Sequence, residues 1–225
     1  MNILETALLA SDLDPVKRFY RDTLGLPVAA ETSESAVFRA GGSLLTFELS
    51  SEVADPYYHF AFNVSTSRME TALEWLEAKG VEVRSVRGSR IVHSESWNSD
   101  SVYFGDPAGN VVELIARHSL PGGTSEPFHP GHVLGISEIG LPADDVPALS
   151  AYLKDVAGVD VYRREDDSFA PLGDEEGLFI LSSVGRTWLG SEQPSIVFPL
   201  RVTLRQEGIR EWSRLMHYPY SLNFR

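Results

Sequence analysis

Two matched stretches constrain this chain more than any other feature. Ile3-Leu4-Glu5-Thr6-Ala7-Leu8 is matched without a gap by Ile136-Ser137-Glu138-Ile139-Gly140-Leu141, and Arg21-Asp22-Thr23-Leu24-Gly25-Leu26 by Lys154-Asp155-Val156-Ala157-Gly158-Val159. An internal repeat obliges both halves to follow one folding pattern. In the first copy, an apolar run over residues 2–10 reads as a strand, and Asp14-Pro15 carries helix-start chemistry with Asp14 as the N-cap. Val16, Phe19, Tyr20, Thr23 and Leu24 then form a helical stripe that Gly25 closes. Strand-like runs over 27–31, 36–40 and 43–49 follow, giving a β-α-β-β-β unit.

The same order recurs. A strand over 57–64 leads to a capping box, Ser67-Arg68-Met69-Glu70, and an apolar helical stripe at Met69, Leu73 and Leu76. A strand over 81–86 and a hairpin over 101–117 complete the second unit. Residues 118–132, rich in Pro, Gly, Ser and His, read as a linker. A third unit then runs over 133–182, and a shortened fourth has a strand over 196–202, the box Thr203-Leu204-Arg205-Gln206 and a helix carrying Ile209, Trp212 and Met216, with no counterpart of the 101–117 hairpin. The expected fold is α+β: tandem β-α-β-β-β units forming cupped mixed sheets with helices outside, as a module over 1–117 and a degenerate, incomplete one over 133–225.

Within the hairpin, Asp106-Pro107-Ala108-Gly109-Asn110 supplies turn chemistry between two apolar runs. In its second run Glu113 shares a face with Val111 and Ile115, since side chains alternate along a strand. A carboxylate on an apolar face must be protonated, paired or bound to a cation. Glu5, Glu48 and His59 stand on three other strands in the same way, and a cupped sheet can bring all four to its inner face. Three carboxylates and an imidazole suit Mn²⁺, Fe²⁺, Ni²⁺, Zn²⁺ or Mg²⁺. The chain has no cysteine, which leaves oxygen and imidazole as the ligand types. A net charge of −13 spread over both halves argues against nucleic acid or an anionic membrane surface as partner. No apolar run approaches the ~20 residues of a membrane span, and a cytoplasmic location is the expectation.

The Tyr-Phe-x-Asp-Pro-x-Gly-Asn-x-x-Glu-Leu hairpin (Tyr103 to Leu114), the Ser-Asp-Leu opening that leads through Phe19-Tyr20 to Leu24-Gly25-Leu26, and the His59-Phe60-Ala61-Phe62 strand resemble the vicinal oxygen chelate superfamily. That superfamily includes glyoxalases, ring-cleaving dioxygenases and bleomycin-resistance proteins. The resemblance implies metal ligands at Glu5, Glu48, His59 and Glu113, with Glu113 or Glu5 as general base. It also implies Lewis-acid chemistry of lyase, isomerase or dioxygenase type on a small, oxygen-rich substrate. Trp97, Asn98, Tyr57 and Asn63 are candidates for lining the cup. Glu5 departs from the histidine usual at its position, which weighs against iron-dependent oxygen chemistry, and in the second half Ile180 and Val197 replace Glu48 and His59, which leaves no second metal site. The alternative is a non-catalytic small-molecule binding protein of bleomycin-resistance type. An unfinished second sheet also offers an edge to another copy of the chain, as in a homodimer.

Overall fold

A computed structural model of the chain describes residues 1–65, 67–120, 122–124, 126–205 and 213–225. The first segment contains β1 (Ile3–Ala10), α1 (Leu13–Lys17), which continues as a π-helical turn over Arg18–Thr23, and the strands β2 (Val28–Glu31), β3 (Ser35–Ala40) and β4 (Ser43–Leu49). The second has β5 (His59–Val64), α2 (Met69–Ala78), β6 (Val83–Arg84), β7 (Val92–Ser94), β8 (Ser99–Gly105) and β9 (Val111–Arg117). After a 3-10 turn at Pro130–His132 come β10 (Val133–Ala143), α3 (Val146–Ala157), β11 (Phe169–Asp174) and β12 (Gly177–Ser183). Last are β13 (Leu200–Leu204), β14 (Ser213–Arg214) and β15 (Tyr220–Phe224). The fold is α+β. No described helix is long and apolar enough to cross a membrane.

All strands belong to one sheet, and the pairing skips along the chain. β1 is parallel to β4 and antiparallel to β13, so the first segment joins the last. β10 is parallel to β12 and antiparallel to β5, so the second joins the third. Two curved surfaces result, meeting where Ile3 of β1 faces Ile136 of β10. Each cup is therefore built from both sides of the 118–132 stretch. Phe38, Phe47, Phe60, Phe104, Ile139 and Leu141 pack in the main core with Leu76 and Leu149 of the helices. Val111, Leu178, Ile180 and Trp188 form a second apolar cluster apart from it.

Several local expectations are corrected. Asp12, not Asp14, caps α1, its side chain accepting from the Asp14 N–H at 2.9 Å, because Asp12 holds the extended conformation a cap requires. Arg68 holds that position for α2, one residue beyond the expected Ser67. The last sheet segment begins at Leu200 rather than 196, since Pro199 has no N–H to give a ladder. β15 runs parallel to β13 and antiparallel to β14, as β9 does to β5 and β8, so the fourth segment does contain a short counterpart of the hairpin. Met216 lies in the turn between β14 and β15, with φ 55°. Gln206, Ile209 and Trp212 fall outside the described residues.

Register makes positions in the two cups comparable. Glu5 faces Thr203 and Ala7 faces Arg201, while Glu138 faces Ala61 and Ile139 faces Phe60, which sets Gly140 beside His59. Thr203 in turn pairs with Asn223, and Ala61 with Glu113. Arg201 thus occupies the place of His59, and Asn223 that of Glu113; the expected equivalence of Val197 with His59 is shifted by the later start of β13.

Candidate metal centre

The hairpin turn fixes β9 against its neighbours. One Asp106 oxygen accepts the Ala108 and Asn110 N–H groups at 3.0 and 2.9 Å, and the other accepts the Tyr20 hydroxyl at 2.6 Å and the Asn110 amide at 2.8 Å. Gly109 takes φ 85°, a left-handed conformation that glycine adopts without steric cost. The Asn110 side-chain oxygen Oδ1 then accepts from the Tyr58 N–H at 2.8 Å, tying the turn to the entry of β5. His59 and Val111 come into register, and Glu113 lies beside Ala61.

On this frame the side chains of His59, Glu113 and Glu138 converge, offering one nitrogen and two oxygens all within 4.8 Å of one another. All three are buried. The His59 Nε2 lies 3.8 Å from an oxygen of each carboxylate. Its Nδ1 is 3.1 Å from the Val111 carbonyl oxygen, which can only accept, so the proton sits on Nδ1 and Nε2 faces the carboxylates. Trp188 covers the imidazole, ring centroids 4.9 Å apart. A side chain at Gly140 would stand 2.7 Å from the Trp188 ring, so the absence of one there makes room for this cover.

Electrostatics are shaped by burial. Loss of solvent, followed by the charge of Glu138, pushes Glu113 up to about 7, against the opposing pull of His59 and of the Ser101 and Tyr103 hydroxyls. Burial pulls His59 down, but Glu138 and Glu113 together outweigh it and leave its pKa raised. Tyr103, opposite Glu113 in register, is raised by burial and then by the two carboxylates. Glu138 meets the guanidinium of Arg117, whose Nη2 donates to it at 2.5 Å. Arg117 is fully buried, stacked 5.4 Å from the Trp97 ring and 5.7 Å from that of Tyr162, and its Nη1 has no hydrogen-bond partner among the described residues.

The triad lies in the wall of a cavity of 690 Å³ whose lining also includes Trp97, Tyr103, Phe169, Ile180 and Trp188. Of the residues expected from sequence, the structure brings together His59 and Glu113, and adds Trp97 to the same cavity. Glu5 and Glu48 are not brought to them. Glu5 accepts from the Thr46 hydroxyl at 2.9 Å, and Glu48 is ion-paired with Arg201, whose Nη1 donates at 2.9 Å. The cause is the pairing of segments, which turns β1 and β4 toward β13. Tyr57 donates to the Pro194 carbonyl and packs against Phe198. Asn98 sits in a turn at φ 49°. Asn63 lines a separate cavity of 280 Å³, donating to the Glu175 and Glu176 carbonyls. Glu138 was legible only as the repeat partner of Glu5, in a half expected to carry no site.

A model of the Glyoxalase/Bleomycin resistance protein/Dioxygenase superfamily matches residues 2–114. The chain is 33% identical over 101 residues to metallothiol transferase FosB of Staphylococcus haemolyticus, across 43% of this chain and 69% of that protein. It is 30% identical over 109 residues to the FosB of Staphylococcus saprophyticus, across 46% and 69%. Glyoxalase I from Zea mays superposes with a TM-score of 0.61 over 99% of this chain and 91% of that one, at 16% identity, a likeness of fold. With half its length matched by the family model, the chain belongs to the glyoxalase/bleomycin resistance protein/dioxygenase superfamily.

Proposed function

We propose that the chain is a metal-dependent enzyme acting on a small, oxygen-rich molecule in the 690 Å³ cavity, with His59, Glu113 and Glu138 holding the cation. The observation that carries this reading is the convergence of two carboxylates and an imidazole in one buried spot. The donor set fits a hard or borderline divalent ion such as Mn²⁺, Fe²⁺, Ni²⁺, Zn²⁺ or Mg²⁺. The proton taken up by Glu113 near neutrality marks the positive charge such a site lacks. When bound, the cation supplies Lewis-acid stabilisation of negative charge on substrate oxygen. The protein's own part is to orient the substrate between Trp97 and Trp188, to exclude water, and to hold or accept a proton at the Glu113 carboxylate. The name of the FosB relatives, metallothiol transferase, agrees with an enzyme that uses a metal.

A second reading, small-molecule binding without metal, is favoured by one observation. The guanidinium of Arg117 already meets Glu138 with positive charge inside the buried site. Metal content of the protein purified without chelators, and after addition of each candidate ion, decides between the two. One bound divalent ion per chain, lost in His59→Ala and Glu113→Ala but retained in Glu5→Ala and Glu48→Ala, is expected of the enzyme; a parent that binds none of the ions leaves the binding protein.

A further inference from the structure

The triad's cavity has two chemically different ends. Its floor carries Glu113 and Glu138, and its middle is walled by Trp97, Phe169, Ile180 and Trp188. Arg87 and Arg186 line the same cavity and are solvent-exposed, so they stand at its mouth. Among the described residues neither arginine takes part in an ion pair, although the chain carries 32 carboxylate side chains against 19 Lys and Arg.

Both cations are held by built features. The guanidinium of Arg186 lies 4.7 Å over the Phe169 ring, a cation–π contact that leaves its N–H edge free to donate. Its backbone is pinned on both sides: the Arg186 N–H donates to Ser183 at 3.0 Å, and its carbonyl accepts from Ser195 at 2.8 Å. Arg87 sits at φ 51° in a tight turn closed by mutual backbone bonds of 2.8 and 3.0 Å between Val86 and Ser89. With Gly88 at φ 83°, this is the geometry of a two-residue hairpin turn, which presents the Arg87 side chain at the cavity rim. An anionic group is attracted by the two cations at the mouth.

We propose that the ligand of this cavity carries a carboxylate or phosphate at its solvent end, bound by Arg87 and Arg186, with an apolar, planar portion stacked in the aromatic middle. This deepens the reading of the cavity as the substrate site and does not depend on the metal.

The test is calorimetric titration of the full chain, stripped with EDTA and at low ionic strength, with benzoate, phenyl phosphate and neutral benzamide. Benzoate and phenyl phosphate separate carboxylate from phosphate preference. At least one anion is expected to bind about tenfold or more tightly than benzamide, as charge-assisted hydrogen bonds imply. Arg87→Gln and Arg186→Gln should each weaken that anion several-fold, and Arg186→Lys should recover part of the loss. Benzamide binding as tightly as both anions, an Arg87→Gln/Arg186→Gln double variant that binds anions like the parent, or a parent that binds neither anion at millimolar concentration would overturn the proposal. Metal content of the same double variant should match the parent, so a failure of the arginines and a failure of the metal site are read separately.

Discussion

The two cups of this protein share a strand plan and differ in what stands at matching positions. In one, Glu138, His59 and Glu113 converge in a buried spot beside a cavity. In the other, the cup of Glu5 has Arg201 where the imidazole would be and Asn223 where the last carboxylate would be. Arg201 brings a permanent positive charge, and it pairs with Glu48 across the cup. The first cup also holds a guanidinium, that of Arg117 on Glu138, but it carries a second buried carboxylate, Glu113, beside it. The difference teaches that a carboxylate on an apolar strand face announces a need for positive charge, and the partner strand decides whether arginine or a cation meets it.

Each cup has one Arg–Glu pair, and the comparison can be broken there first. The Arg117 and Glu138 side chains are 0% and 5% exposed, against 43% and 33% for Arg201 and Glu48. Arg117→Met should cost about 3–5 kcal/mol in urea denaturation, because it leaves a buried carboxylate unpaired. A loss under about 1 kcal/mol would mean that Glu138 finds another partner or a proton at little cost.

A smaller effect concerns pH. The Glu113 pKa is raised to about 7, so the folded, metal-free protein binds a proton that the unfolded chain releases near 4.5. The stabilisation is complete below the unfolded value and is lost as pH rises through the folded one, by about 2–3 kcal/mol across that window. The raised pKa of His59 acts in the same direction. Glu113→Gln should flatten the decline in stability between pH 4.5 and 7, measured with EDTA present; an unchanged slope would place the proton elsewhere. The smallest expected change is that of Arg201→Met, about 0.2–1 kcal/mol, since a half-exposed pair is screened by solvent. A cost like that of Arg117 would show the two pairs to be energetically alike.

Much of the fold was legible from residues close together in the chain. β1 and the Asp106–Asn110 turn follow from local patterning and turn chemistry, and the end of α3 at Gly158, φ 60°, from its match to Gly25. His59 and Glu113 stood out for the same reason, each being a polar group on an apolar strand. Which strands share a cup is another matter. Glu48 and Arg201 lie in β4 and β13, and no local pattern announces their ion pair. Glu138 was visible as a repeat of Glu5, yet its meeting with His59 depends on β10 pairing with β5 rather than on any neighbour in sequence. Arg117, at the end of the hairpin, looks like an ordinary strand terminus until Trp97 and Tyr162 close over it.

The pairing of β1 with β13 also bears on synthesis. β1 finds its parallel neighbour β4 early, but its other edge waits for a strand made long afterwards. The strands of the His59 cup end with β12 and its lining ends at Leu189, ahead of β13, so it can close on the ribosome while β1 still shows open backbone groups. During that interval the nascent chain carries an apolar edge strand able to pair with the wrong neighbour. The cup around His59 can thus be finished before the first strand of the chain is sealed.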